Sequence, residues 1–210
     1  MARDPARFWN RIARKYAASP ISDEATYERK LAETQALMRP DMTVIEFGCG
    51  TGSTAVRHAP HVAHYTGVDV SAAMLDYARA KGQDLANLSF VEATLESFPA
   101  PEGGADMILA LSLLHLLDDP RAAIARIHGL LKPGGWFVSS TACMGDILPA
   151  LRLVAPLGRA VGMLPPLSFF TEAQLAAWIE AEGFRITTRW RPEGKSAATF
   201  LIARKPEGAT

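Results

Sequence analysis

Two kinds of hydrophobic spacing divide the chain. Up to Pro40, apolar residues recur every three or four positions, which predicts helices over 5–17 and 23–38. In the second, Tyr27, Leu31, Gln35 and Met38 share a face, and Asp23 is placed to cap the start with Glu24 in the first turn. Pro40 ends this region. Beyond it, short apolar runs alternate with helical stretches. The runs at 43–47, 65–70, 88–91, 106–111 and 136–140 read as strands. Helices are expected from the loop after the first run to Pro60, over 71–81 and over 120–131. Such alternation predicts an α/β fold, a parallel sheet with helices on both faces. The rhythm then breaks: a helix over 171–182 leads to strands at 184–190 and 199–203, with Pro192-Glu193-Gly194-Lys195 between them. A parallel crossover needs a dozen or more residues, so these two strands must be antiparallel.

Composition narrows the class. Hydrophobic residues make up 49% of the 210, ample for a core, so wholesale disorder is excluded. Twenty-two basic side chains balance 22 acidic ones, which argues against a nucleic-acid binder built on a broad basic face. Cys49 and Cys143 are too few for a disulfide framework or a four-thiolate zinc site and suit a reducing, cytoplasmic setting. Met1 to Trp9 hold no apolar signal-peptide core, and no run of ~18 apolar residues predicts a spanning helix.

The segment with most chemistry is Glu46-Phe47-Gly48-Cys49-Gly50-Thr51-Gly52, between a strand and a helix. Glycines let the backbone turn sharply and let a ligand approach it without meeting a Cβ. A ligand here lies at the carboxyl edge of the sheet, where open α/β folds bind small molecules. Asp69, closing the second strand, is placed to accept from both hydroxyls of a ribose. The dinucleotide fingerprint is G-x-G-x-x-G and serves a pyrophosphate. Here the spacing is G-x-G-x-G, and Glu46 repels phosphate but attracts an ammonium group. Ribose, an amino-acid ammonium and no phosphate describe S-adenosylmethionine better than NAD.

Together with that loop, Gly67-Val68-Asp69-Val70-Ser71-Ala72-Ala73-Met74-Leu75 and Leu131-Lys132-Pro133-Gly134-Gly135 resemble the motifs of class I S-adenosylmethionine-dependent methyltransferases. The likeness covers about residues 40–142. It implies a Rossmann-like, doubly wound seven-stranded sheet with the last strand antiparallel, and S-adenosylhomocysteine as the spent cofactor. Carried onto matching positions, it places Gly48, Cys49, Gly50, Thr51 and Gly52 along the methionine and ribose, with Asp69 on the ribose. Val70 and Met74 are expected to flank the adenine, and Ala110 and Leu111 to lie beside the methionine. Where the family usually has an aspartate near the adenine amino group, this chain has Thr94, which keeps one acceptor. The Leu95 N–H can meet a ring nitrogen, and Glu92 or Glu96 can stand in for the missing carboxylate. Tyr16 falls in the region where a family tyrosine often approaches the cofactor. An aromatic face attracts a sulfonium by roughly 0.5–2 kcal/mol.

The remaining candidates are less decided. Cys49 reads as a small residue at a tight turn rather than a nucleophile. His58, His61 and His64 are evenly spaced, but Pro60 interrupts their helix, and no metal is expected. His115 follows the fourth strand as a general base, a substrate contact or a ring packed among leucines. Residues 147–170 contain no acid, with Arg152 and Arg159 seven apart. They read as a lid over an apolar substrate or as a transient membrane-surface contact. The expected organisation is a helical cap over 1–40 and a cofactor-binding domain over 41–210, with 145–170 as lid or substrate insert. The expected activity is methyl transfer to a small, lipophilic acceptor; a non-catalytic S-adenosylmethionine sensor is the alternative.

Overall fold

The computed structural model describes residues 6–148, 155, 164–192 and 198–208. Residues to Phe98 form one compact unit and those from Pro99 another.

In the first unit, α1 (Ala6–Ala18) and α2 (Glu24–Gln35) precede β1 (Thr43–Phe47), α3 (Ser53–His58), β2 (His64–Asp69), α4 (Ala72–Gly82) and β3 (Leu88–Glu92). Asp23 caps α2 as expected, accepting from Thr26 N–H at 3.0 Å. The helix stops at Gln35 rather than Met38, and Leu37 and Met38 turn back by hydrogen bonds to Thr34 and Gln35. β1 pairs in parallel with β2, and β2 with β3. Val44, Phe47, Tyr65, Val68 and Leu75 are nearly inaccessible and form the core.

The second unit holds β4 (Ala105–Leu111), α5 (Pro120–Leu130), β5 (Leu131–Ala142), α6 (Met144–Ile147), α7 (Glu172–Ala181), β6 (Arg185–Trp190) and β7 (Ala198–Arg204). β5 begins five residues before the expected 136. Leu131 pairs with Ala105 and Trp136 with Met107, so Lys132 to Gly135 bulge out of β5, with Gly134 at φ of 75°. β7 runs antiparallel between β5 and β6. The seven strands follow the order β3-β2-β1-β4-β5-β7-β6, the Rossmann-like sheet with an antiparallel last strand that the sequence implied.

A clasp joins Gly145 and Asp146 to Phe170 and Glu172. Gly145 N–H donates to Phe170 O at 2.9 Å, and Glu172 N–H to Asp146 Oδ2 at 2.8 Å. Any Cβ at position 145 would lie 2.8 Å from the Phe170 carbonyl carbon, so only glycine permits this approach. Arg191 adds ion pairs to Asp146 and Glu172 at 3.5 Å each. Most of the lid or membrane segment, including Arg152 and Arg159, lies outside the described residues. Among the described residues, no helix is long and apolar enough to cross a membrane.

Candidate cofactor site

β1 ends by delivering its backbone into a loop of three left-handed glycines. Gly48, Gly50 and Gly52 have φ values of 72°, 54° and 74°, a region that costs other residues about 1–2 kcal/mol. The loop is sewn to β2 by hydrogen bonds from Gly48 N–H and Cys49 N–H to Val68 O, 2.8 and 3.1 Å long. The glycines serve different ends. At Gly50 a Cβ would meet only the Tyr16 ring, at 3.8 Å, so this position lies open beneath an aromatic face. At Gly52 a Cβ would fall 2.8 Å from Ala78 Cβ and 3.0 Å from Ala78 Cα, because α4 packs directly on the loop. Gly52→Ala therefore combines overpacking with backbone strain and is expected to cost about 2–4 kcal/mol, against about 1 kcal/mol for Gly50→Ala. Chemical denaturation of the two variants checks this, and equal costs would contradict it.

Asp69 is the hinge between loop and β2. Its Oδ2 accepts from Gly50 N–H and its Oδ1 from Ser71 N–H, each at 2.9 Å. A carboxylate offers about four lone-pair sites, so acceptor capacity remains for a ligand's hydroxyls. Burial raises its pKa against the lowering effect of those backbone donors. Glu46, 3% exposed, receives the Tyr65 hydroxyl at 2.9 Å. Burial pushes its pKa up to about 8, only partly offset by the Tyr65 bond, with the Asp69 charge adding to the rise. Two carboxyl groups thus face one loop, and a cation placed between them would relieve both. Tyr16 is 50% exposed, and its hydroxyl pKa is raised by burial of the phenol end and by Asp69 and Glu46.

The other expected contacts differ in what they can offer. Thr51 is buried and its hydroxyl accepts from Lys81 Nζ at 3.0 Å, which leaves its backbone as the contact. The Cys49 thiol is buried, and desolvation drives its pKa strongly upward, so it is not a nucleophile poised at neutral pH. Val70 is half-buried, whereas Met74 is 2% exposed and packs into the core. Thr94 spends its hydroxyl locally, accepting from Ser97 N–H at 3.1 Å, and Leu95 is buried. Glu92 and Glu96 are exposed.

In the second unit Ala110 is fully buried on β4 and Leu111 half-buried at its end. Ser112 follows with φ of 56°, the one non-glycine residue in the left-handed region among the described residues, its N–H 2.6 Å from Ser140 O. Strained backbone at a strand's carboxyl end is a feature of binding sites, and sequence spacing gave no sign of it. His115 Nδ1 is buried without a hydrogen-bond partner among the described residues. Burial pushes this ring's pKa down to about 4. Ser168 packs against this turn, its N–H donating to His115 O and its hydroxyl to Leu117 O. His58 is in the core, while His64 bonds Ser89 Oγ at 3.0 Å. Among the described residues no group of three or more potential ligands could hold a metal.

Sheet order, glycine loop and acidic strand ends together define a nucleoside-binding α/β domain of the Rossmann-like methyltransferase type. Residues 45–139 match the family described as a methyltransferase domain, and the findings together support a class I S-adenosylmethionine-dependent methyltransferase. An uncharacterized methyltransferase of Mycobacterium tuberculosis is 31% identical over 109 residues, 52% of this chain and 53% of that protein. The chain thus spans about half the length of this relative. A ubiquinone biosynthesis O-methyltransferase of Coxiella burnetii is 29% identical over 150 residues, 68% of this chain and 63% of its own. An N-methyltransferase of Bradyrhizobium japonicum, solved with S-adenosylhomocysteine, superposes with a TM-score of 0.72 at 19% identity, covering 95% of this chain and 99% of that one. At that identity the likeness concerns the fold.

Proposed function

We propose that the protein transfers a methyl group from S-adenosylmethionine to a small, lipophilic acceptor. The observation that carries this reading is the Gly50–Asp69–Glu46 arrangement: an open glycine under an aromatic ring, flanked by one carboxylate with spare acceptor capacity and one buried carboxyl group. When bound, S-adenosylmethionine supplies an electrophilic methyl group on a sulfonium sulfur. Asp69 would hold the ribose hydroxyls, Glu46 would face the ammonium, and the Tyr16 ring would cover the loop. Holding acceptor and methyl group in line accounts for much of the acceleration, since effective molarities reach ~10⁵ M or more. The lipophilic acceptor is supported by the acid-free apolar run at 147–170 and by the quinone pathway named for the Coxiella relative. A screen with labelled S-adenosylmethionine against hydroxylated aromatic and polyprenylated acceptors tests it; no S-adenosylhomocysteine formed with any would sink the enzymatic reading.

His115 would receive the proton of an oxygen acceptor. With its pKa pushed down to about 4, the imidazole is neutral and able to accept throughout the range above pH 5. His115→Ala is expected to lower kcat for a hydroxyl acceptor by about 10²-fold, the low end for a positioned base, because its lowered pKa makes it a weak one. Steady-state kinetics with an unchanged kcat would remove it from the chemistry.

A further inference from the structure

We infer that Asn10 is a positioning residue: it latches α1 across the N-terminus of α4 and thereby holds Tyr16 over the glycine loop. The inference rests on the cofactor reading of that loop. Asn10 Oδ1 accepts from the Ser71 hydroxyl at 2.7 Å and from Ala73 N–H at 3.2 Å. Ser71 is itself fully buried, caps α4 by accepting from Met74 N–H at 3.1 Å, and donates its own N–H to Asp69. Asp69 in turn receives Gly50 N–H, and above Gly50 lies the Tyr16 ring, six residues along α1 from Asn10. The contacts close a circuit: α1, the α4 cap, the ribose carboxylate, the glycine loop and back to α1.

Ala13 is the one residue of α1 that is buried. A helix of 13 residues is marginal by itself in water, so its place depends on docking contacts. Six residues of helix span about 9 Å. A bond fixed at Asn10 therefore sets where Tyr16 falls, whereas its loss lets the helix pivot about Ala13. The latch uses only the side-chain oxygen of Asn10, since both partners donate to it. Aspartate can therefore replace it, and its charge is favourable beside the first turn of α4.

Calorimetric titration with S-adenosylhomocysteine, applied to the full chain, tests the latch through four variants whose folding is confirmed by thermal melting. Asn10→Ala is expected to weaken binding about tenfold, the loss of one to two ordinary hydrogen bonds. Asn10→Asp should stay within about threefold of the wild type. Tyr16→Ala weakens binding, and the double variant Asn10→Ala/Tyr16→Ala binds no worse than Tyr16→Ala, because Asn10 acts through Tyr16. A full additional loss in the double variant, or failure of Asn10→Asp to rescue, overturns the positioning role in favour of plain scaffolding. Hydrogen exchange over 6–18 in the ligand-free chain reads the latch separately. Faster exchange in Asn10→Ala supports it, and unchanged exchange overturns it even where S-adenosylhomocysteine binds normally. A wild-type chain that does not bind S-adenosylhomocysteine, while Asn10→Ala still loosens α1, overturns the cofactor reading instead and leaves the latch supported.

Discussion

Replacing Asp69 by alanine is expected to weaken S-adenosylhomocysteine binding by about 1.5–3 kcal/mol, the range for hydrogen bonds to a charged group. The ribose hydroxyls would lose their acceptor. The empty protein suffers too, because Gly50 N–H and Ser71 N–H both donate to this carboxylate. Leaving two such donors unmade costs about 1–3 kcal/mol each where water cannot reach them, so melting and affinity should fall together. Asp69→Asn separates the two effects. It keeps one oxygen for a backbone donor but turns an N–H₂ toward the other, so it remains short of acceptors for the ribose. Calorimetry on a folded Asp69→Asn protein that returned wild-type affinity would remove Asp69 from the cofactor contact.

A second large effect is expected in the pH dependence of stability. Glu46 has its pKa raised to about 8 in the folded chain, from an ordinary 4.5, by burial. Between these values the native state holds a proton that the unfolded chain releases, so stability falls as pH rises from about 4.5 to about 8 and levels off above. At about 1.4 kcal/mol per unit, the change across the window approaches about 5 kcal/mol. His58 and His115 act in the opposite sense. Burial lowers their pKa values to about 3 and about 4 from 6.5, so their contribution rises with pH and is complete by about 6.5. The wild-type curve should therefore rise between about pH 4.5 and 6.5, where two histidines outweigh one carboxyl group, and decline between about pH 6.5 and 8. Glu46→Gln, which keeps an acceptor for Tyr65 and never ionises, should abolish that decline. Thermal or urea unfolding of both proteins from pH 5 to 9 checks it; parallel curves would mean that Glu46 is ionised in the empty chain. The same ionisation links to ligand binding: a cation beside Glu46 lowers its pKa and expels the proton. Binding enthalpy should then vary with the buffer's ionisation enthalpy in the wild type and not in Glu46→Gln.

What could be read from the sequence was local. The glycine loop, Asp69 at the end of β2 and the Asp23 cap each announce themselves within a few residues, because turn chemistry and capping depend on immediate neighbours. The antiparallel end of the sheet followed from the shortness of the connection between its last two strands. The contacts that complete the site were not legible. Tyr65 meets Glu46 across 19 residues, Lys81 meets Thr51 across 30, and Asn10 meets Ser71 across 61. Each is a single pair with no periodicity to betray it. Thr94 shows the converse limit. Its place in the family pattern pointed to the adenine, and nothing in that pattern announced that a serine three residues on would also bond its hydroxyl. The early start of β5 was hidden because Leu131 pairs alone ahead of Trp136, with Pro133 and Gly134 in the bulge between them.

The clasp at Gly145–Phe170 and Asp146–Glu172 has an evolutionary consequence. It brings the two ends of the insert together independently of what lies between them. Closing a loop whose ends are already fixed depends only weakly on its length, about 0.6 kcal/mol per doubling. β5, β6 and β7 pair with one another outside this segment, so their register need not answer to its contents. The length of chain between the clasped residues can therefore change at little cost in closure. A lineage could lengthen or shorten it while the register of the sheet stayed as it is.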